Sequence, residues 1–314
     1  MKFWEHLISP LTFLTGTYVK ILLSIPPEKL SYTYDYFIRK GWLPLPFHYF
    51  QPIFKISNMP KDYEEIESSL IGIDLDVSGQ LALLDNFNYN AELEKIPLNK
   101  QKEYEPYYRN KNFRSGDAEI LYSMVRYYKP KRIIEIGSGY STMFMLLAIK
   151  QNKKYSGSDT ELTCIEPFER LWLEKLQINV IRKPVEQLDL ALFKNLSEND
   201  FLFIDSSHVI RTQGDVIFEY LNIIPSLQKG VVVHCHDIFL PKDYPLKYIS
   251  EYKYFWNEQY LLQALLSNSS KYKPLLALKF LSIHYRSYLE KCCPIFKNEN
   301  EIEGPASFWF QVIG

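Results

Sequence analysis

Residues 132–141, RIIEIGSGYS, constrain this chain more than any other stretch. An apolar β-branched run, Arg132-Ile133-Ile134-Glu135-Ile136, passes straight into Gly137-Ser138-Gly139-Tyr140-Ser141, and Thr142 to Ile149 reads as a helix. A short apolar run of this kind predicts a buried parallel strand, and the glycines permit a tight turn that brings backbone close to a ligand. The helix that follows presents unpaired N–H groups and the positive end of its dipole at that turn. The pattern predicts an α/β, Rossmann-like, doubly wound and mostly parallel sheet with a nucleotide-type cofactor at its first βα turn.

Two departures narrow the cofactor. A dinucleotide turn, G-x-G-x-x-G, needs a third glycine where this chain has Thr142, and a P-loop needs a lysine that is missing here. Glu135, two residues before the first glycine, would repel a pyrophosphate but suits a ligand carrying an ammonium group. S-adenosyl-L-methionine has that group and no phosphate. The stretch resembles motif I of the class I methyltransferases, hydrophobic-hydrophobic-Glu/Asp-x-Gly-x-Gly. On this reading Glu135, Gly137, Ser138, Gly139, Tyr140 and Ser141 bind the cofactor. A second strand, Leu162-Thr163-Cys164-Ile165-Glu166-Pro167, ends in Glu166, placed to accept hydrogen bonds from the ribose hydroxyls. Residues 178–181 give a third strand, and 183–186 fall where adenine is held.

A second cluster carries the chemistry. Phe201-Leu202-Phe203-Ile204-Asp205-Ser206-Ser207-His208 is an apolar strand ending in D-x-x-H. Gly230-Val231-Val232-Val233-His234-Cys235-His236-Asp237 is another, ending in His-Asp. Between them Gln213 to Ile224 has helical spacing of Val216, Ile217, Tyr220, Leu221 and Ile224. Such a unit sets both strand ends beside the Gly-rich turn. Three of the chain's six histidines lie in it. Asp205, His236 and Asp237 suit a divalent metal, Mg²⁺ or Mn²⁺ through their oxygens, with the imidazole shifting the balance towards Mn²⁺, Fe²⁺ or Zn²⁺. His208, one turn from Asp205, can take a proton from a hydroxyl. His234 lies deeper and reads as structural.

This cluster resembles the metal-dependent sugar O-methyltransferases of macrolide tailoring and the wider group that includes cephalosporin-hydroxylase-like proteins. The resemblance covers residues 106–245 and implies Asp205, His236 and Asp237 as metal ligands, with His208 and Asp205 catalytic. At His236 those enzymes more often carry a carboxylate. The implied activity is metal-assisted O-methylation of a sugar or other small acceptor. Two other classes stay open, an NAD(P)-dependent Rossmann oxidoreductase and a non-catalytic binding subunit of a glycan-assembly system.

Composition fits an intracellular enzyme. The 314 residues, 46% of them hydrophobic, suffice for one large α/β domain with extensions. A net charge of −1 and a pI near 6.6 argue against a nucleic-acid partner. Cys164, Cys235, Cys292 and Cys293 show no metal or disulfide spacing, so reduced thiols in the cytoplasm are expected.

The expected division is an N-terminal accessory region over 1–105 and the methyltransferase domain over 106–314. Residues 3–25 are apolar-rich but interrupted by Glu5, Pro10 and Lys20, so no spanning helix or secretory signal is expected. They read as helices packing on the core or on another subunit of a homo-oligomer, or as a peripheral membrane contact. Residues 41–60, rich in proline and aromatics, predict an irregular arm. Residues 87–115 read as a linker and cover over the site, and 238–245 as a loop closing over substrate. Gly116 to Tyr128 and Trp256 to Leu266 read as helices, and Leu275 to Leu281 and Ser307 to Ile313 as closing strands.

Overall fold

The structure is a computed structural model that describes residues 2–168, 170–299 and 304–314. The chain forms two compact units, Met1–Lys61 and Asp62–Gly314. The compact unit that holds residues 106–314 begins at Asp62. Residues 87–115 are not a linker: Phe87, Leu93, Ile96, Tyr108 and Phe113 are buried in the core of the second unit.

The first unit holds a helix over Lys2–Leu23, a short turn at Pro27–Lys29 and a helix over Ser31–Arg39. Residues 41–61 then run irregularly apart from one turn, Ile56–Asn58. Phe37 is buried with its ring 4.1 Å from that of Trp42. The side chains of residues 2–7 and of Pro10 lie outside the described set, and with them the Phe3, Trp4 and Leu7 part of the apolar run. Among the described residues no helix is long and apolar enough to cross a membrane.

The second unit is built on a seven-stranded sheet in the order β3-β2-β1-β4-β5-β7-β6. Its strands are β1 Arg132–Ile136, β2 Glu161–Ile165, β3 Asn179–Ile181, β4 Phe201–Ile204, β5 Val232–Cys235, β6 Tyr272–Ala277 and β7 Phe308–Val312. β1 to β5 are parallel, and β7 is antiparallel to both neighbours. The sequence reads as continuous apolar runs because both faces are covered. Ile133, Phe201, Phe203 and Val232 face the core formed with the helices Asp117–Tyr128 and Tyr140–Ser156. Their neighbours Ile134, Ile136, Leu202, Ile204, Val231 and Val233 face the opposite core. This period-two alternation decides where every polar strand residue points.

His234 shares the face of Val232. It stacks on Phe203 at 3.8 Å, is fully buried, and neither ring nitrogen has a hydrogen-bond partner. Burial holds its pKa well below the ordinary value, so the ring is neutral. A buried polar group without a partner costs stability, so His234→Phe, which keeps the stack, is expected to raise the unfolding free energy by about 1–3 kcal/mol in urea denaturation. An unchanged or lowered midpoint would contradict this account of the ring.

Three local expectations are revised. Only the first part of 275–281 is strand; Leu278–His284 is helical, following a break in the β6–β7 register between Pro274 and Leu276. The helix between β4 and β5 runs from Asp215 to Ser226 but widens into a π turn over Glu219–Ile223. Pro225 has no N–H to offer the carbonyl of Leu221, and Ile224 N–H bonds to Glu219 instead. The 238–245 segment is packed down, with Ile238, Phe239, Leu240 and Tyr244 buried, and is not an open flap.

Candidate active site

The strand order reverses between β1 and β4, so the ends of these two neighbours form the switch-point crevice. They are locked together there. Asp205 N–H donates to Ile136 O at 2.9 Å, while Gly137 N–H ties the end of β1 to β2 through Ile165 O at 3.0 Å. Gly137 has φ +79°, and a Cβ on it would stand 1.7 Å from the Asp205 carbonyl oxygen. Only glycine fits. Gly139 N–H is satisfied by Thr142 Oγ1 at 3.1 Å, and Ser138 is buried in the turn. Tyr140 begins the next helix; its hydroxyl accepts from Tyr107 at 3.1 Å, and Arg170 lies over its ring.

Glu135 lies beneath the turn. By strand alternation it sits with Ile133, beneath the Tyr140–Ser156 helix, and is fully buried. Its oxygens accept from Ser141 Oγ and Thr142 Oγ1, both at 2.6 Å, and from Cys164 Sγ at 3.2 Å. It braces the turn, and the Ser141 hydroxyl is committed to it. Burial pushes the Glu135 carboxyl up to about 7 against the hydroxyl bonds that favour its charge. A carboxyl raised from 4.5 holds its proton in the folded chain after the unfolded chain has lost it. Its stabilising contribution is complete below pH 4.5 and falls as pH rises to 7, by about 3 kcal/mol over that 2.5-unit window. Glu135→Gln is expected to abolish that fall in urea midpoints measured from pH 4.5 to 8. A slope identical to that of the unsubstituted chain would exclude Glu135 as its source.

Glu166 stands half-buried at the end of β2. It accepts from Phe168 N–H at 3.0 Å, while Arg182 donates to its carbonyl oxygen at 2.7 Å.

Asp205, His208 and Asp237 meet. His208 Nε2 lies 3.4 Å from Asp205 and 3.6 Å from Asp237, and one ligand atom from each of the three lies within 4.8 Å of the others. Two backbone reversals achieve this: His208 has φ +59° and Asp237 φ +53°, left-handed conformations that His and Asp adopt more readily than bulkier residues. Such conformations persist where the surroundings fix them, as at functional sites. The imidazole is nearly fully buried, whereas the Asp205 and Asp237 side chains keep 27% and 19% of their surface open.

The other face of the His208 ring reveals what the sequence reading missed. Nδ1 is 2.7 Å from Glu258, a fully buried carboxylate at the start of the Glu258–Leu266 helix. Asn257 and Glu258 N–H both donate to His208 O, so strand end and helix start clasp each other. Tyr220, turned inward by the π turn, donates to Glu258 at 2.8 Å, and the Trp256 ring covers the imidazole at 4.5 Å. Burial opposes the charged ring, but its hydrogen bonds to Asp205 and Glu258 raise the His208 pKa well above normal. For Asp205, burial is outweighed by His236 and His208, which hold its carboxyl low. Burial raises Asp237 against the pull of the same two rings. The signal for Glu258 was present in its spacing: Glu258, Leu262 and Leu266 share the buried stripe of one helix, an acid where an apolar residue is expected.

His236 follows Val232 and His234 on the Phe203 side and stacks on Phe113 at 4.9 Å, and its Nδ1 lies 3.4 Å from Ser307 Oγ. Ser307 in turn donates to buried Asp117. His236 is part of that internal network and also lines a small cavity with Asp237, while His208 is the ring that meets the two aspartates directly.

Residues 134–238, the span from β1 through this crevice, match the family described as a methyltransferase domain. An uncharacterized protein of Archaeoglobus fulgidus is 31% identical over 166 residues, 49% of this chain and 74% of that protein. Among solved structures, CmcI with SAH is similar at 12% identity and a TM-score of 0.36, over 72% of this chain and 91% of that one. Its apo form gives 13% and 0.37, over 72% and 84%. No function is transferred from these distant likenesses. The matched residues 134–238 span the Gly-rich turn and the β1–β4 switch point, and with them this chain carries a methyltransferase domain of the class I, S-adenosyl-L-methionine-dependent kind.

Proposed function

We propose that the methyl group goes to a hydroxyl of a small acceptor, a sugar in the first instance, with His208 as the base. The observation that carries this is the arrangement of one buried imidazole, Nδ1 on Glu258 and Nε2 between Asp205 and Asp237. In its neutral form, the one that acts as the pH rises through its raised pKa, His208 takes the hydroxyl proton on Nε2 while the oxygen attacks the methyl carbon. The carbon–sulfur bond breaks to leave S-adenosylhomocysteine, and the imidazolium is held by Glu258. Most of the rate gain comes from aligning the two bound reactants. The cofactor lies on the backbone of Gly137–Ser141 at the helix N-terminus, beside Tyr140, with Glu166 on the ribose. Asp237 also lines a small cavity with Phe239 and Tyr248, whose rings suit the apolar face of a sugar.

The oxygens of Asp205 and Asp237, within 4.8 Å, fit one Mg²⁺ or Mn²⁺. When bound, such an ion would orient the hydroxyl and acidify it. A second reading is favoured by the same distance: His208 Nε2 is close enough to be a third ligand, with Glu258 behind it as a carboxylate often stands behind a metal-bound histidine.

The test is Asp205→Ala, assayed for methyl transfer to a panel of sugars and catechols with Mn²⁺, with Mg²⁺ and with chelator, alongside calorimetry with S-adenosylhomocysteine. Transfer is expected to need the divalent ion and to vanish in Asp205→Ala, with affinity for S-adenosylhomocysteine retained. Metal-independent transfer that survives Asp205→Ala would overturn the proposal. Mn²⁺ affinity of His208→Ala decides between the two readings, being unchanged for a base and lost for a ligand.

A further inference from the structure

The first unit exposes apolar surface that its own packing does not use. On the Lys2–Leu23 helix, Ile8, Leu11, Leu14, Tyr18 and Ile21 recur at steps of three and four and form one stripe. Each is at least half exposed, from 50% at Ile8 to 66% at Leu14. Thr12, Thr15 and Thr17 donate their hydroxyls to the carbonyls of Ile8, Leu11 and Phe13, so they need no water or partner to satisfy them. The arm that follows adds exposed rings at Trp42, Phe47, Tyr49 and Phe50.

Charge separates the candidate occupants. Residues 1–61 carry seven Lys or Arg against three Asp or Glu, a net of +4, whereas the remainder of the chain carries −5. Two copies of a +4 surface repel when their stripes meet. An anionic bilayer attracts it, receives the stripe among its acyl chains and takes Trp and Tyr at headgroup level. The helix is too polar to cross, so it lies in the plane of the surface. We infer that residues 1–61 dock the protein on anionic phospholipid membranes, with the Ile8–Ile21 stripe inserted and the basic residues on headgroups.

The test is co-sedimentation of the full chain with vesicles of phosphatidylcholine alone or with 30% phosphatidylglycerol. Binding to the anionic vesicles is expected to exceed that to neutral ones by at least tenfold and to weaken as salt is raised. Leu11→Glu with Leu14→Glu should abolish it while calorimetry with S-adenosylhomocysteine stays unchanged, which separates lost docking from a misfolded chain. Equal partition of parent and double variant would overturn the inference. So would a dimer, seen by analytical ultracentrifugation without vesicles, that the double variant dissolves.

Discussion

Gly137→Ala is expected to cost about 3–5 kcal/mol of stability and to remove measurable binding of S-adenosylhomocysteine. The added carbon would meet the Asp205 carbonyl oxygen at 1.7 Å and its carbon at 2.7 Å. Both are backbone atoms of a central strand end, so no rotamer change relieves the clash. The penalty joins the overpacking cost to that of a left-handed alanine at φ +79°. Gly157→Ala is the matched control. That glycine also has positive φ, +69°, but nothing lies within 4 Å of its added carbon. It should lose about 1 kcal/mol and bind normally. Equal behaviour of the two variants in denaturation and calorimetry would show that the interlock of β1 and β4 is unimportant.

His208→Ala is expected to lower turnover by roughly 10²–10⁴ while leaving the affinity for S-adenosylhomocysteine intact. Glu258→Gln keeps an acceptor for the imidazole and for Tyr220 but withdraws the charge that holds the imidazolium. It should cost about 10–100-fold in kcat, as removal of an outer carboxylate commonly does. Because Glu258 acts through His208, the two losses should not add: His208→Ala with Glu258→Gln should be no slower than His208→Ala alone. Multiplying losses in the double variant would make Glu258 a structural residue only.

The strands were legible because each is a buried apolar run, and the acids at their ends were legible because a parallel sheet aims its carboxyl ends at one crevice. The direction of each side chain within a strand end was not. Alternation along β1 and β5 puts Glu135 and His236 on the helix-covered side, so Glu135 is spent on Ser141 and Thr142 and His236 stacks on Phe113, contacts that a motif does not reveal. Asp237 escapes alternation through a positive φ that its identity permits but does not require. Glu258 stands 50 residues from His208, and only the folded chain unites them. Residues 87–115 are polar on average yet bury five large side chains, which their composition does not show.

The Asp205 main chain serves two masters. Its N–H is held by Ile136 and its carbonyl rests on Gly137, so the Gly-rich turn and the Asp205 carboxylate form one rigid piece. Phe239, Tyr248 and Trp256 lie outside that piece, in the segment after β5. On the proposed reading, changes at those three positions are expected to alter the choice of acceptor while Asp205 stays tethered to the donor side. A library confined to those three positions could redirect the hydroxyl without disturbing the methyl donor.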